Sequence, residues 1–444
     1  MPTDLAARWW YDVYIATQVA ISSNRVAFMR KRSFNFYIGL LVMIGLVILL
    51  ARSMRAVLPR LSANTGANVN QPTNSGDVAP TTSSQLKQTF HGLIAFQSNQ
   101  DGNPEIYTMD AGGSKRSNLT HNPASDLDPA WSPDGSQITF ISDRSGSPEI
   151  FVMNAAGGEA RQLTRDSGFT WFPPLSWSPD GSIIAAAGGP SGDENQAQVY
   201  LVNLDGSGSQ PLSDSQPGAY PRWSPDGERI AWRGLENGDP VLFVINAGGG
   251  QAQKISTSPS STEKYGVMND DFDWSPDSMQ IAYLTIGPLI GDGPNFQFPF
   301  QARARIQVYN MKTASTQILL DVGLPNNIHF LRWSPDGKTL MFVQEIGMSG
   351  CWTVRLQPLA STEATNATGL CYKPDTTSPD WTPGSEWLLL TGSKYQGDQN
   401  TAIFALNVYE ALRNPGSPLI FQLTQSNGLD INPQAQPQVN PPQP

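Results

Sequence analysis

Three histidines, His91, His121 and His329, are the strongest candidates for metal binding or general-base chemistry in this 444-residue chain. They are widely separated and show no HxH or HExxH spacing, the patterns that present two ligands to one metal ion. The chain also contains no GxSxG sequence, the turn that exposes a serine nucleophile in many hydrolases. We therefore predict no catalytic residue, no bound metal and no cofactor, and we expect that the protein is not an enzyme.

Acidic side chains are numerous, but their positions favour a structural role. A repeated WSPDG sequence starts at Trp131, Trp177, Trp223 and Trp333, with variants WSPDS at Trp274 and WTPGS at Trp381. In such a turn proline presets the backbone at the second position, aspartate suits the third, and glycine adopts the left-handed conformation that ends it. Because the aspartates recur with the turn, we interpret them as turn formers and not as acid–base pairs.

Each copy of this signature is followed by three apolar runs of strand type, separated by polar turns. After Trp131 these runs are ITFI from Ile138, IFVM from Ile150 and QLT ending at Thr164. With the strand that ends in the tryptophan, each unit predicts four short antiparallel strands. Such a sheet cannot bury its own apolar faces, so repeated units must stack on one another. The pattern is typical of the blades of an all-β propeller.

An incomplete copy precedes the first signature, from Leu93 to Thr120, and it lacks the first of the four strands. The C-terminal sequence LDINPQAQP, from Leu429 to Pro437, loosely matches LDPAWSP, from Leu127 to Pro133. Pairing this segment into the incomplete unit would close the ring and remove an exposed sheet edge. We predict seven blades closed by a C-terminal strand, with six blades as the alternative if the incomplete copy only caps the ring.

The repeated WSPDG, apolar and LT sequences resemble the TolB-like β-propeller repeat, a WD-type repeat with Pro-Asp in the turn. The resemblance covers roughly residues 92–437, about three quarters of the chain. Ser278 stands where the pattern has glycine, and Gly384 stands where it has aspartate. The TolB resemblance favours six blades, whereas the repeat count favours seven. The propeller domain is predicted to span residues 91–438, with a Pro-rich tail at 439–444.

The N-terminal part of the chain predicts a membrane anchor. Residues 34–51 are apolar and uncharged, and 18 helical residues cover about 27 Å, enough to cross a hydrocarbon core. A cleaved signal peptide is the alternative, but arginines follow the segment where a small-residue cleavage site belongs. Residues 1–33, with Trp9 and Trp10, suit the membrane interface or a partner's membrane domain. Residues 52–90 have the polar composition of a flexible linker.

The charge and the cysteine content of the chain indicate which partners and which side of a membrane suit the propeller. The chain has a net charge of −10, and residues 1–60 carry eight basic and two acidic side chains, so the propeller is strongly acidic and unsuited to nucleic acid. Basic residues flank the predicted anchor almost equally, so orientation rests on the TolB resemblance, which implies an extracytoplasmic propeller. Cys351 and Cys371 are predicted on adjacent strands of the sixth blade, where they either form a disulfide or remain two free thiols.

Two sets of residues are candidates for partner binding. An insertion at residues 287–305 carries alternating Phe296, Phe298 and Phe300, followed by Arg303 and Arg305. Aromatic residues and arginine often anchor interfaces, although these phenylalanines can also fold back to cover the blade edge. The second set directly precedes four successive signature tryptophans and alternates in charge: Arg222, Asp273, Arg332 and Asp380. It predicts ion pairs between neighbouring blades or, following the TolB resemblance, a polar channel mouth that binds a partner's peptide.

We therefore expect a single-pass membrane protein whose propeller is a non-catalytic binding or scaffold subunit of a cell-envelope complex. Its expected partners are other membrane or envelope proteins, together with the lipid bilayer through residues 34–51. One alternative is an extracytoplasmic sensor or a carbohydrate- or peptide-binding propeller. A second alternative is a metal-dependent lyase or hydrolase.

Overall fold

The computed structural model describes residues 82–438 except 166–167, 191–192, 194–195, 213–216, 238, 257–263, 290–302, 324–327, 346–351, 362, 368–378, 393–399, 416–417 and 426–427. The predicted interfacial segment at 1–33, the membrane helix at 34–51 and the tail at 439–444 lie outside these residues and stay predictions. Within the described part of the chain, no helix combines the length and the apolar character needed to cross a membrane.

The described residues form seven antiparallel sheets of four strands each, preceded by helix α1 (Thr82–Thr89). Blade 1 contains β1 (Leu93–Ser98), β2 (Glu105–Asp110) and β3 (Ser117–Asn118). Blade 2 contains β4 (Asp126–Trp131), β5 (Gln137–Ser142), β6 (Glu149–Asn154) and β7 (Arg161–Gln162). Blade 3 contains β8 (Thr170–Trp177), β9 (Ile183–Gly189), β10 (Gln198–Asn203) and β11 (Ser209–Pro211). Blade 4 contains β12 (Gly218–Trp223), β13 (Arg229–Glu236), β14 (Asp239–Asn246) and β15 (Gln253–Lys254).

The remaining blades have the same strand order. Blade 5 contains β16 (Lys264–Trp274), β17 (Gln280–Leu289), β18 (Arg303–Asn310) and β19 (Ser315–Gly323). Blade 6 contains β20 (Ile328–Trp333), β21 (Thr339–Glu345), β22 (Trp352–Pro358) and β23 (Thr365–Asn366). Blade 7 contains β24 (Asp380–Trp381), β25 (Trp387–Gly392), β26 (Ala402–Asn407), helix α2 (Val408–Arg413) and β27 (Ile420–Gln422). The last strand, β28 (Asp430–Ala435), pairs with β1 and is the innermost strand of blade 1.

The ring is closed by the C-terminal strand, as predicted from the match between LDINPQAQP and LDPAWSP. Antiparallel pairing joins Ile94 to Ala435 and Ser98 to Asp430. The buried Asp430 carboxylate also accepts a hydrogen bond from Arg116 Nη2 of blade 1 at 2.7 Å. The fold is a seven-bladed β-propeller, and the six-bladed alternative is wrong because the incomplete N-terminal copy forms a blade with this strand.

The hydrophobic core lies between the blades. Ala95 and Ile106 of blade 1, for example, share a cluster with Trp131, Ile138 and Phe140 of blade 2. The same arrangement recurs around the ring, because the middle strands of each blade are apolar on both faces. Burying one face of a blade therefore requires the neighbouring blade, and this dependence stabilises the closed ring.

The signature tryptophans connect successive blades. The indole Nε1 of Trp131 donates to Gln434 O at 3.1 Å, that of Trp177 to Ala130 O at 3.2 Å, and that of Trp274 to Arg222 O at 3.2 Å. Each acceptor is the carbonyl that directly precedes the corresponding position in the previous blade. The tryptophan thus fills the space between two sheets and fixes their relative position.

The turn after each tryptophan has the chemistry expected from its sequence. In blade 2 Ser132 Oγ accepts from Gln137 N at 2.9 Å, Asp134 accepts from Ser136 N at 3.0 Å, and Gly135 has a φ of 68°. Where serine replaces this glycine, the left-handed backbone is kept, with φ of 60° at Ser278 and 61° at Ser385. Both serines make a hydrogen bond that glycine cannot make.

The two serine replacements join adjacent blades. Ser278 Oγ of blade 5 accepts from Asp226 N of blade 4, and Ser385 Oγ of blade 7 accepts from Asp336 N of blade 6, each at 2.9 Å. The sequence departures at these two turns therefore add contacts between blades, and this offsets part of the cost of a left-handed serine.

The hydroxyl residue that closes most of the units also has a structural role. Thr164 Oγ1 accepts from Ile150 N at 2.9 Å and donates to the buried carboxylate of Glu149. The equivalent Ser256 and Thr424 hydroxyls accept from Leu242 N and Ile403 N, each at 3.0 Å. The final LT or IS of the repeat thus satisfies a backbone donor at the start of the third strand.

The folded part of the chain begins earlier than the sequence predicts. Helix α1 lies within the segment assigned to the flexible linker, 52–90, and its Leu86 is fully buried, as is the following Phe90. Both pack in a cluster shared by blades 7 and 1, and Trp387 Nε1 of blade 7 donates to Thr89 Oγ1 at 2.9 Å. The linker prediction is therefore wrong for residues 82–90, because two apolar side chains in a polar segment dock on the seam of the ring.

Thr164→Val removes a hydroxyl that serves two buried groups, Ile150 N–H and the Glu149 carboxylate. We expect the free energy of unfolding to fall by about 1–3 kcal/mol, because both groups lose a partner away from water. Urea unfolding of the purified propeller measures this loss. Thr164→Ser keeps the hydroxyl and is the matched control; equal losses in both variants would contradict the assigned role.

Leu86→Ala tests whether helix α1 secures the seam between blades 7 and 1. Removing this fully buried side chain should lower the free energy of unfolding by about 2–5 kcal/mol, since it leaves a cavity in the seam. Leu359→Ala, at a side chain with 37% exposure, should cost less than about 1 kcal/mol. If both variants unfold at the same urea concentration, the helix contributes nothing to ring closure.

Candidate functional site

The innermost strands contain β-bulges that turn side chains toward the axis of the propeller. Pairing registers shift between Leu127 and Ala130, and between Ala219 and Arg222. The residue three positions before the tryptophan, or before its equivalent Ala435, has a positive φ in four blades: Asp128 at 54°, Tyr220 at 58°, Phe330 at 57° and Asn432 at 50°. A bulge changes the direction of one side chain, which is why bulges are frequent near functional sites.

These strands surround a central cavity of about 920 Å³ with residues from all seven blades in its wall. We define the bulge ring as the lining residues three positions before the tryptophan or its equivalent: Asp128, Pro174, Tyr220, Asp271, Phe330 and Asn432. We define the adjacent ring as the lining residues that directly precede the tryptophan or its equivalent Ala435: Ala130, Arg222, Asp273, Arg332, Asp380 and Gln434. The four predicted channel residues, Arg222, Asp273, Arg332 and Asp380, all lie in the adjacent ring.

The charged side chains of the adjacent ring contact neighbouring blades. Arg222 Nη1 of blade 4 lies 3.9 Å from Asp273 Oδ1 of blade 5, and the guanidinium lies over the Phe272 ring, 5.9 Å from its centroid. Asp273 Oδ2 in turn accepts from Trp333 N of blade 6 at 2.9 Å. The alternation of charge in the sequence therefore corresponds to inter-blade contacts that are also exposed on the cavity wall.

Asp380 lies in the cavity wall and also binds the strand that closes the propeller ring. Its Oδ2 accepts from Ala435 N of the closing strand at 2.7 Å. Burial raises the pKa of Asp380 to about 6, although this hydrogen bond and the Arg332 charge act in the opposite direction. The closing strand thus binds a carboxylate that burial makes harder to ionise.

Asp128 is the corresponding carboxylate of the bulge ring. Its Oδ1 accepts from Asn432 Nδ2 of the closing strand at 2.7 Å. Burial raises the pKa of Asp128 to about 6. Asp128 therefore holds the other side of strand β28, and its negative charge is costly in this position.

A carboxylate of the bulge ring, Asp271, pairs with a neighbouring wall histidine, His329, and sequence reasoning missed this pair. His329 Nδ1 lies 3.2 Å from Asp271 Oδ2, and Phe330 N donates to Asp271 Oδ1 at 2.6 Å. The position of Asp128 and Asp271, three before the tryptophan, was the available signal. The other two histidines, His91 and His121, are exposed and lie on blade 1 segments outside the cavity wall.

Two further predicted site residues, Arg303 and Arg305, are not among the residues of the cavity wall. Arg303 and Arg305 both bind Asp321 on the adjacent strand of blade 5, at 2.6 and 3.1 Å. The other candidates fall outside the described residues and stay predictions: Trp9, Trp10, Phe296, Phe298, Phe300, Cys351 and Cys371. Within the residues that the structure describes, no group of three or more potential metal-ligating side chains comes together.

Comparison with known proteins gives the type of propeller. A family model described as the TolB beta propeller domain matches residues 91–184, which cover blades 1 and 2 and the start of blade 3. Over these residues the propeller is similar to TolB. A TolB homolog from Chlorobium luteolum is 31% identical over 168 residues, which are 38% of this chain and 37% of that relative.

Other similar proteins are enzymes. Dipeptidyl-peptidase 5 from Porphyromonas gingivalis is 33% identical over 122 residues, which are 25% of this chain and 17% of that relative. An oligogalacturonate lyase solved with manganese superimposes with a TM-score of 0.57 and 14% identity, covering 73% of this chain and 88% of the lyase. The chain thus spans well under half the length of the TolB homolog and of the dipeptidyl-peptidase. The likeness to the lyase shows a shared fold alone.

The raised pKa of Asp128 predicts a dependence of stability on pH. Because the pKa rises from 3.8 to about 6 on folding, the stabilisation from protonated Asp128 is fully present below 3.8 and is lost as the pH rises through about 6. At neutral pH the ionised carboxylate should cost about 1–3 kcal/mol. Asp128→Asn keeps an acceptor for Asn432 and removes the charge.

We therefore expect Asp128→Asn to be more stable than the wild type at about pH 7.5 and similar to it at about pH 4. Urea unfolding at both pH values measures the difference. Asp205→Asn, at an exposed turn, is the matched control: hydrogen bonds from Ser207 lower the pKa of Asp205, so this variant should not gain stability as the pH rises. A constant difference between Asp128→Asn and wild type across this range would contradict the shifted ionisation.

Proposed function

We propose that this chain is a non-catalytic, membrane-anchored binding subunit of a cell-envelope complex, and that the central cavity of its propeller holds a polypeptide segment of a partner. The observation that carries this proposal is the cavity itself. A volume of about 920 Å³ lies in the usual range for ligand-binding clefts. Its wall combines charged, amide and aromatic groups from a rigid ring, which suits recognition of a polypeptide.

The bonding of the wall carboxylates favours binding over catalysis. Asp273 and Asp380 accept backbone N–H groups of the next blade, and Asp128 accepts the Asn432 amide. These bonds hold the blades together, so the aspartates keep the cavity in shape. A rigid, preformed wall lowers the entropic cost of binding a flexible segment.

The proposed location and partners rest on the sequence and on the TolB-like character of the propeller. The apolar segment at 34–51 would place the chain in the membrane as a single-pass protein. The similarity to TolB proteins supports the proposal of an extracytoplasmic propeller with envelope-protein partners. The insertion with Phe296, Phe298 and Phe300 would add a second contact with the same partner.

A second candidate function is the binding of a small ligand, such as a carbohydrate or a signal molecule. Tyr220 and Phe330 both lie in the bulge ring, and the Phe330 ring centroid lies 6.2 Å from that of His329. Aromatic side chains beside polar groups can stack on sugar rings as well as on peptides. A partner protein and a small ligand would compete for the same wall.

Tyr220→Ala removes one aromatic group from the cavity wall. We expect the full chain, purified from membranes in mild detergent, to retain a partner protein, and the variant to retain about tenfold less of it, since a buried aromatic contact is lost. Mass spectrometry identifies and quantifies the retained protein. Tyr409→Ala, at a side chain with 60% exposure on helix α2, is the matched control.

The outcomes separate the candidates. If Tyr409→Ala loses the partner and Tyr220→Ala keeps it, the partner binds at the outer edge of blade 7 and the cavity assignment is wrong. If the wild-type chain purifies alone and monomeric, the subunit proposal is wrong. Small-molecule mass spectrometry of that sample then tests the second candidate.

A further inference from the structure

The bulge ring and the adjacent ring of the cavity wall differ in net charge. In the adjacent ring Arg222 lies 3.9 Å from Asp273, and the charge of Arg332 acts on Asp380. Positive and negative groups therefore alternate there and compensate one another. Among the described residues the cavity wall contains four aspartates and two arginines, so the excess negative charge of these residues lies in the bulge ring.

Asp128 is the wall carboxylate that lacks a cationic partner among the described residues. Its side chain is bonded to the neutral Asn432 amide, and its own N–H donates to Gln97 Oε1 at 3.3 Å. Asp271, the other carboxylate of the ring, lies beside His329. A carboxylate that the protein partly covers is stabilised by a proton or a nearby cation, and no cationic side chain of the described residues bonds to the half-buried Asp128.

Aromatic groups of the same ring strengthen the attraction for a cation. Tyr220 and Phe330 are both half-buried and contribute to the cavity wall. The faces of such rings attract lysine and arginine groups, and the attraction is stronger where water is excluded. Carboxylate and aromatic groups around one cavity form a combination that selects a positive charge.

The neutral lining groups indicate that the cation is attached to a polypeptide. Gln97, Asn432 and Gln434 present amide side chains in the cavity wall. Such amides both donate and accept hydrogen bonds, so they match the alternating N–H and C=O groups of a peptide backbone. A free metal ion would bond only to the amide oxygens and could not use the N–H groups, and an anionic segment would meet the excess negative charge.

We propose that the bulge ring binds a lysine or arginine side chain of the partner's segment, with Asp128 as the carboxylate that receives it. This inference rests on the proposed function and specifies its ligand. Binding would bring a positive charge to an uncompensated carboxylate, and the aromatic rings would cover the aliphatic part of the side chain. The partner's segment would then be basic where it enters the cavity.

Calorimetric titration of the full chain in detergent micelles tests this ligand class with three probes. These are acetylated and amidated tri-lysine, the equivalent tri-glutamine, and spermidine as a free cation. Tri-lysine should bind, tri-glutamine should not, and spermidine should bind more weakly because it lacks peptide groups. Equal binding of spermidine and tri-lysine would overturn the polypeptide assignment, and binding of tri-glutamine alone would overturn the charge assignment.

The variants locate the site. Asp128→Asn preserves shape and the bond to Asn432, and it should weaken tri-lysine binding by about tenfold, because one charge-assisted contact is lost. Asp205→Asn changes the same net charge at an exposed turn of blade 3 and should bind like the wild type. Equal affinities for wild type and Asp128→Asn would overturn the inference.

A further comparison separates this inference from the proposed function. If the partner protein remains bound to Asp128→Asn as well as to the wild type, the cationic site is wrong and the subunit proposal stands. If no partner is retained by the wild type, the subunit proposal is wrong, whatever the peptide titration gives. Asp128-dependent binding of tri-lysine together with loss of the partner from Asp128→Asn supports both.

Discussion

A four-stranded blade with two apolar faces depends on its neighbours. The clusters between blades, such as the one that contains Trp131, Ile138 and Ala95, bury each sheet against the next. Every blade therefore needs two partners, and the chain satisfies this only as a closed ring. The indoles of Trp131, Trp177 and Trp274, the serine hydroxyls at two turns and the wall carboxylates add hydrogen bonds across the same boundary.

Much of this architecture could be predicted, because short sequence patterns that recur in each repeat indicate the strands and turns of a blade. The tryptophan, the SPDG turn and the final hydroxyl residue recur in order, and the C-terminal match to LDPAWSP predicted the closing strand. The start of the folded part could not be predicted, since Leu86 and Phe90 are isolated apolar residues in a polar segment. Their burial depends on a seam that exists only after the ring has formed.

The cavity wall could be predicted only in part, because only some of its residues follow a recognisable sequence pattern. Charge alternation before the tryptophans indicated Arg222, Asp273, Arg332 and Asp380, because one sequence position varied in sign. The bulge ring gave no comparable signal, since aspartate, tyrosine, phenylalanine and asparagine occupy one left-handed position without a shared chemical type. The backbone irregularity that directs these side chains inward comes from strand pairing, and single-sequence patterns do not report it.

The pairing of β28 with β1 has a consequence for biosynthesis. The hydrogen bond from Leu93 N to Gln436 Oε1 joins residues 343 positions apart in the sequence. While the ribosome is still producing the later blades, the edge of β1 has no native strand to pair with, and an unpaired edge is prone to aggregate. The nascent protein therefore stays an open arc that needs shielding until its last strand emerges, and a chain that terminates early would expose this edge to quality-control proteases.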